Sequence, residues 1–534
     1  MQRIFGNKKN IDLGRSEFQE FIKNGRLYID KTRFIEHVLE EASGVLLFTR
    51  PRRTGKSLNL DMLRTFLDCK RDTAELFKGL YIEGSAVFGQ INNYPVIHLN
   101  FKETRAVNYK EKFRQMLQEA ALSYLSAGQF NPWISRYFEM DMDDTGVLRT
   151  LTKNIHEVYG IRPYILIDEY DKLLMDNLSS SEYETIRDWL RDVFESAFKD
   201  NHHLEKGIMV GVTRVSQEGL LSGLNNIDVY DVFTPSAFDG DFSLTEEEVV
   251  ELLGGEQLET ARQWYNNYRV GNEKLFTMYS VLSYLKKGML DNYWGMSGSM
   301  EMLIDALNKD RAEAIAELIS DGKEIETLIE RRLSLRQLRS GDIDDASFYS
   351  FAVQAGYLTY NRVAGEKIFN IFLPNKELCE VWESFILKEV LKSRHTNLRD
   401  IFCNIADTED FSNSFRDFIS FQLSTYDVGK ELEKTYHVLV FGLILGAGFK
   451  CSSNRERGYG RYDLWLEGPD FNVIIEFKKA RKETEDLDEL AVKAIEQIDK
   501  RKYYAKFPDT MPLYKVGVGC YKTECSVVTV LHGS

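Results

Sequence analysis

The segment Arg50-Pro51-Arg52-Arg53-Thr54-Gly55-Lys56-Ser57 constrains this chain more than any other stretch. The apolar run Val45-Leu46-Leu47-Phe48 precedes it, and the helix-like Leu58-Asn59-Leu60-Asp61-Met62-Leu63 follows it. A strand entering a loop that ends in Gly-Lys-Ser and opens a helix is the local context of a phosphate-binding loop. Backbone N–H groups from Arg52 through Thr54 and Gly55 to Leu58 would face a polyphosphate at the helix N-terminus. Lys56 would reach the β- and γ-phosphates, and the Ser57 hydroxyl would hold Mg²⁺. One position departs from the pattern G-x-x-x-x-G-K-S/T: Arg50 stands where glycine normally permits a tight turn. Pro51 biases Arg50 towards extended geometry, so the loop is expected to start differently. Arg52 and Arg53 would supply charge to a phosphate in cis; the plainer alternative is pairing with neighbouring carboxylates.

A second half to this site lies at Tyr164-Ile165-Leu166-Ile167-Asp168-Glu169. Four apolar residues predict a buried parallel strand, and two carboxylates emerge at its C-terminal end, where open α/β sheets bind ligands. Asp168 would hold Mg²⁺ together with Ser57, and Glu169 would orient and deprotonate the attacking water of ATP hydrolysis. A further strand, Ile208–Val212, ends in Thr213-Arg214. Thr213 would sense the γ-phosphate and Arg214 would neutralise charge, or the two are an ordinary polar pair.

The β-like runs Gly44–Phe48, Pro95–Phe101, Tyr164–Ile167 and Ile208–Val212 alternate with helical patterns, which predicts an α/β parallel sheet covered on both faces. At 534 residues, two to four domains are expected. Residues 1–242 read as the nucleotide-binding domain, 243–424 as a mostly helical lid and linker, and 425–534 as a third region of strand–turn–strand–helix character. A net charge of −15 argues against a protein that coats nucleic acid by charge alone, though not against local basic patches. The six cysteines, Cys69, Cys379, Cys403, Cys451, Cys520 and Cys525, are scattered without zinc-ligand spacing, as in a reducing cytoplasm. The polar start MQRIFGNKKN is no secretory signal, and the longest apolar run, Val438 to Phe449, is too short to span a bilayer, so no membrane partner is expected.

The third region carries its own polar constellation. Gly460-Arg461-Tyr462-Asp463 precedes Leu464-Trp465-Leu466, a Gly468-Pro469-Asp470 turn follows, and Asn472-Val473-Ile474-Ile475-Glu476-Phe477-Lys478 completes a β-hairpin. Period two puts Ile474, Glu476 and Lys478 on one face. Charges on a buried-looking strand are costly unless they act together. Asp463, Glu476 and the Phe477 carbonyl offer hard oxygen ligands for Mg²⁺, and Lys478 would position a water and stabilise charge on a scissile phosphate. The alternative is a solvated strand face. Downstream, Leu487, Leu490, Ala491, Ala494 and Ile498 form a helical stripe with Gln497 at its edge. Basic and aromatic residues interleave at Arg455, Arg457, Tyr459, Arg461 and Tyr462, and again from Lys500 to Tyr504, a mix that suits a phosphate backbone.

Two family resemblances sharpen these readings. Arg50–Ser57 with Leu58-Asn59 resembles the R-P-R-R-x-G-K-S-L-N signature of the bacterial AAA-ATPase-like family, in which arginine takes the first loop position. Tyr28-Ile29-Asp30-Lys31-Thr32, Asp168-Glu169-Tyr170-Asp171-Lys172, Gly211-Val212-Thr213-Arg214 with Ser222-Gly223-Leu224-Asn225-Asn226, and Trp264-Tyr265-Asn266-Asn267-Tyr268 resemble its further motifs. The third region resembles the PD-(D/E)XK nuclease superfamily through Glu433…Tyr436-His437, Ser453-Asn454-Arg455-Glu456, Gly460-Arg461-Tyr462-Asp463, Glu476-Phe477-Lys478 and Gln497…Tyr503. The resemblances imply an ASCE-type P-loop NTPase followed by a metal-dependent phosphodiesterase core. Asp463 and Glu476 would be metal ligands, for Mg²⁺ or alternatively Mn²⁺. Lys478 would be the catalytic lysine, Gln497 a helix residue near the site and Glu433 an accessory ligand, while His437 fills the core.

The combined expectation is a cytoplasmic bacterial ATPase that binds ATP and Mg²⁺ and controls a C-terminal nuclease acting on DNA. The rival readings are a switch ATPase whose nuclease fold only binds nucleic acid or a protein, and a nucleotide-binding module without turnover. Relatives of this type often assemble, so a homo-oligomer with Arg52, Arg53 or Arg214 acting across a subunit boundary is an open expectation.

Overall fold

The structure, a computed structural model, describes residues 3–178, 180–214, 226–294, 324–331, 343–362, 368–382, 398–425, 449–453, 456–457, 460–461, 463–480, 484–504, 511–522 and 524–533, with isolated positions between these stretches. The chain divides into two units, Met1–Ala306 with Lys323–Cys379, and Leu307–Gly322 with Glu380–Ser534.

The first unit is built on five parallel strands, β1 (Val45–Thr49), β2 (Val96–Asn100), β3 (Tyr164–Asp168), β4 (Lys206–Gly211) and β5 (Ile227–Tyr230). Their spatial order is β2-β3-β4-β1-β5. A parallel sheet buried on both faces needs near-continuous apolar strands, which is why β1 and β3 carry no polar residue before their last position. Alternate side chains serve opposite faces. Leu46, Phe48, Leu166, Ile208 and Val210 pack with Leu60, Leu63 and Phe66 of helix α1 (Lys56–Leu67). Val45, Leu47, Ile165, Ile167 and Met209 pack on α2 (Tyr109–Tyr124), α3 (Val147–Tyr159) and α4 (Tyr183–Phe198). Each fully buried leucine or isoleucine contributes about 2 kcal/mol. In-register pairing of Thr49 with Gly211, and of Asp168 with Val210, brings the loops after β1, β3 and β4 to one edge.

The middle of the chain is helical as expected, with Glu246–Leu253 and α5 (Met278–Lys287) prominent. It also holds small antiparallel sheets: Tyr268–Val270 with Glu273–Leu275, and a three-stranded sheet of Ile325–Leu328, Ile368–Phe372 and Thr359–Arg362. The strand Ile368–Phe372 buries its alternate residues Phe369 and Ile371. Lys31 ties the amino-terminal segment to Glu248 through a buried ion pair with contacts of 2.7 and 2.8 Å.

The second unit is a five-stranded sheet in sequential order, β6 (Lys450–Ser453), β7 (Leu464–Glu467), β8 (Asn472–Lys479), β9 (Leu513–Tyr521) and β10 (Glu524–Leu531). Pairing is antiparallel except between β8 and β9, where the parallel register requires a crossover. Between them the chain forms helix α7 (Leu487–Arg501), and α6 (Thr408–Thr425) lies earlier in the chain. Val473, Ile475 and Phe477 face a cluster that includes Phe411, Phe415 and Ile419 of α6. Ile474 packs instead with Ile495, Ile498 and Tyr503, so Glu476 and Lys478 share the face that α7 covers. Among the described residues, no helix is long and apolar enough to cross a membrane.

Candidate functional site

The loop after β1 begins with a buried arginine. Arg50 is wholly inaccessible; its Nη1 donates to the carbonyls of Thr49 at 3.0 Å and Tyr230 at 2.6 Å, and its guanidinium lies 5.3 Å from the Phe242 ring centre. Burial lowers its pKa to about 10, against the charges of Asp239, Asp231 and Asp241. Among the described residues, Nε and Nη2 find no hydrogen-bond partner. The residue that replaces the usual glycine is thus a pin between the ends of β1 and β5, and its backbone N–H donates to the Gly211 carbonyl at 3.1 Å.

The rest of the loop turns through two left-handed residues, Arg53 (φ 63) and Gly55 (φ 87), immediately before α1. Only glycine adopts such a φ without strain. The Thr54 hydroxyl donates to the Pro51 carbonyl at 2.9 Å and closes the turn. Lys56 is buried, and its ammonium donates to the carbonyls of Arg50 at 3.0 Å and Pro51 at 2.6 Å. Burial lowers it to about 8, opposed by Asp168, Asp171 and Glu169.

Asp168 and Glu169 stand opposite this lysine. Burial raises the Asp168 carboxyl above its ordinary range, against the pull of the Ser57 hydroxyl and Lys56. Its Oδ2 accepts from Asn100 Nδ2 at 3.1 Å, and among the described residues its buried Oδ1 has no hydrogen-bond partner. Glu169 holds a left-handed φ of 54, a strained backbone for a residue with a side chain, and is itself raised by burial and then by Asp168. A cavity of about 680 Å³ is walled by Arg52, Arg53, Lys56, Ser57, Lys102 and Glu169, with Leu58, Met278, Tyr279 and Leu282 supplying apolar surface.

The two loop arginines differ. Arg53 donates to the Tyr293 carbonyl and lies 4.2 Å from the Tyr279 ring centre. Arg52 lines the cavity and, among the described residues, forms no ion pair. Thr213 borders the cavity with its hydroxyl committed to Asp171 Oδ2 at 2.8 Å, and the same oxygen accepts from the Val212 and Thr213 N–H groups. That close approach explains Gly211, where a Cβ would meet Asp171 Oδ1 at 2.5 Å. Arg214 is not brought to the cavity: it pairs with the inaccessible Asp231 at 2.9 Å. Sequence reasoning missed Asn100 and Lys102. The available signal was the strand Val96–Asn100, whose last residue pairs in register with Asp168.

In the second unit four predicted residues converge. Antiparallel pairing of Leu464 with Ile475 sets Asp463 opposite Glu476, one step beyond. Asp463 Oδ2 accepts from the Phe477 N–H at 2.8 Å, and Asp463 N lies 3.4 Å from Glu476 Oε2. The N–H and C=O of one strand residue point the same way, so the Phe477 carbonyl also faces the Asp463 side. Lys478 Nζ lies 3.4 Å from Glu476 Oε1, which also accepts from Gln497 Nε2 of α7. The Tyr503 hydroxyl, buried behind the helix, accepts from Gln497 Nε2 at 3.2 Å. Burial, reinforced by Asp463 and opposed by Lys478, raises Glu476 to about 8. Lys500, Arg501 and Lys502 are exposed at the end of α7. Glu433, Tyr436, His437, Asn454, Arg455, Tyr459, Tyr462, Ser222, Gly223 and Asn225 lie outside the described residues.

Comparison with known proteins agrees with this division. Residues 12–221 match the family model of a predicted AAA-ATPase, and residues 431–530 match that of the PD-(D/E)XK nuclease superfamily. The uncharacterized protein in the vnfD 5'region of Azotobacter chroococcum mcd 1 is 28% identical over 388 residues, 70% of this chain and 69% of that protein. The solved Aeropyrum pernix ORC2 protein (ADPNP-ADP complexes) aligns over 67% of this chain and 92% of its own at 12% identity and a TM-score of 0.24, too loose an overlap to transfer anything. The chain thus joins an AAA-ATPase-like domain at residues 12–221 to a PD-(D/E)XK nuclease superfamily domain at residues 431–530.

Proposed function

We propose that this protein binds and hydrolyses ATP in its first unit and that this cycle regulates a Mg²⁺-dependent nuclease, acting on DNA in the cytoplasm, in its second. The observation that carries the proposal is the presence of two constellations on one chain: Lys56, Ser57 and Glu169 lining one cavity with Asp168 drawn towards Ser57 and Lys56, and Asp463, Glu476, Lys478 and Gln497 about one strand.

At the first site Lys56 exchanges the Arg50 and Pro51 carbonyls for the β- and γ-phosphate oxygens, while the loop N–H groups hold the phosphate chain. The orphaned Oδ1 of Asp168 and the Ser57 hydroxyl suit Mg²⁺, which would supply positive charge to the same phosphates. Glu169, raised by its surroundings, accepts the proton of the attacking water, and Arg52 neutralises developing charge from the cavity wall. Arg53 braces the loop against Tyr279 and Tyr293.

At the second site Asp463, Glu476 and the Phe477 carbonyl are the hard oxygen donors for Mg²⁺ or Mn²⁺, which would supply charge stabilisation at a phosphodiester. Gln497 fixes the Glu476 carboxyl, and Lys478 holds its ammonium where a phosphate oxygen gains charge. The exposed Lys500, Arg501 and Lys502 offer contacts to the nucleic-acid backbone.

The deciding experiment is incubation of the full chain with supercoiled plasmid and Mg²⁺, with and without ATP. Cleavage that depends on both is expected; retained DNA binding without cleavage would establish the silent-nuclease reading instead. In parallel, Glu169→Gln should bind ATP like the parent while turnover falls roughly 10²-fold or more.

A further inference from the structure

Two cysteines of the second unit face each other across its edge hairpin. Cys520 on β9 and Cys525 on β10 are register partners whose sulfurs lie 3.3 Å apart as thiols. Tyr521 and Glu524 form the next pair and close the hairpin through two residues. A two-residue hairpin closes on a hydrogen-bonded pair, so the pair inside it is of the non-hydrogen-bonded class. The Cys520 carbonyl confirms this by turning the other way, to accept from Ala480 N–H at 2.9 Å. Pairs of this class bring Cα atoms to about 4.5 Å with the side chains at their closest. That separation lies within the roughly 4.4–6.8 Å that a disulfide spans. Both side chains also belong to the apolar cluster of the sheet, and packing alone would account for two small residues there. Packing does not require two cysteines to be register partners with their sulfurs 3.3 Å apart.

We propose that Cys520 and Cys525 are a reversible thiol-oxidation site that forms a cross-strand disulfide on contact with a low-molecular-weight disulfide. Cys525 lies on the edge strand and is 8% exposed against 1% for Cys520, so it reacts first when the edge opens. Its thiolate attacks the oxidant's sulfur and expels one thiolate. The Cys520 thiolate then attacks the Cys525 sulfur and expels the second. The two cysteines lose two electrons, the reagent gains them, and the two cysteine protons end on the released thiols or in solvent. The bond ties β10 to β9 one residue beyond Gly519, the register partner of Lys478. Oxidation therefore staples the edge strand to β9, the neighbour of the strand that carries Glu476 and Lys478, and in a reducing compartment the staple lasts only as long as the oxidant.

The test treats the folded full chain with oxidised glutathione, alkylates it in denaturant and digests it with trypsin. Lys515 and Lys522 put Cys520 and Cys525 on separate peptides, which only a disulfide holds together. The expected result is the linked pair of peptides 516–522 and 523–534, separated again by dithiothreitol. The exposed Cys403 should carry glutathione in the same sample and shows that the oxidant acted. With Cys403 modified, full alkylation of Cys520 and Cys525, or an unresolved glutathione adduct on Cys525, overturns the proposal. A Cys520→Ala chain should accumulate that adduct, since the resolving sulfur is gone; an unmodified Cys525 there would equally overturn it.

Discussion

Burial acts on opposite charges at the two sites. In the first unit it bears on a cation, lowering Lys56 to about 8; in the second it bears on a carboxyl, raising Glu476 to about 8. Burial thus works against the lysine's charge at one site and against the glutamate's at the other. The lysine rests on carbonyl oxygens of its own loop, so an incoming phosphate offers it a full counter-charge. The glutamate rests beside Asp463, so a cation offers relief from both desolvation and repulsion. A third group warns against reading the shift alone. Glu377 is also raised to about 8, yet it is wholly buried and accepts from the Ser280 hydroxyl at 2.9 Å and the Trp294 N–H at 2.8 Å. What distinguishes Glu476 is its company of Asp463, Lys478 and Gln497.

The comparison breaks most easily at its cationic end. Lys56→Ala removes the charge that the cavity presents to phosphate, and ATP turnover should fall roughly 10³-fold with loss of nucleotide binding in a fluorescent-nucleotide titration. If Lys56→Ala binds ATP as the parent does, the cavity around Lys56 is not the phosphate site.

At the carboxyl end, Glu476→Gln should reduce plasmid cleavage by about 10²-fold while leaving the melting temperature nearly unchanged. The second half of that expectation is the sharper one. Burial favours the protonated form of Glu476, so an amide of equal size stands close to the group it replaces. A large loss of stability at neutral pH would mean that the carboxylate is ionised in the fold and that Lys478, not burial, governs it. Gln497→Ala removes a partner of Glu476 without removing a charge, and cleavage should fall only about 10-fold.

These differences separate what the sequence makes legible from what it does not. The strand–loop–helix around Lys56 and the period-two placement of Glu476 and Lys478 are local, and local pattern suffices for them. Arg50 is different. Its chain position says only that a glycine is missing, while its role comes from Tyr230, 180 residues away, and from Asp231, Asp239 and Asp241. Arg214 shows the same limit in reverse: a plausible phosphate ligand by position is held by the buried Asp231. Asn100 joins Asp168 only because two strands distant in sequence are neighbours in the sheet. Lys31 of the amino-terminal motif meets Glu248 across 217 residues, so that motif reads as a brace once the fold is known.

The smallest expected effect tests whether burial alone sets the values on which the comparison rests. Glu377 does not line the cavity, although Arg53 of the loop opposes its shift, so its proton affinity is read in stability. Its folded value, about 8, lies above its ordinary value of 4.5. Between those values the folded chain holds a proton that the unfolded chain releases. The stabilising contribution is complete below about pH 4.5 and is lost as pH rises through about 8. Glu377→Gln removes this titration while the amide can still accept from Ser280 and Trp294. The melting temperature of the variant relative to the parent should therefore rise with pH across that window and level off above it. A difference that stays flat would mean that the hydrogen bonds offset desolvation in full, and the same offset would then have to be considered for Glu476, whose hydrogen-bond partners are as numerous.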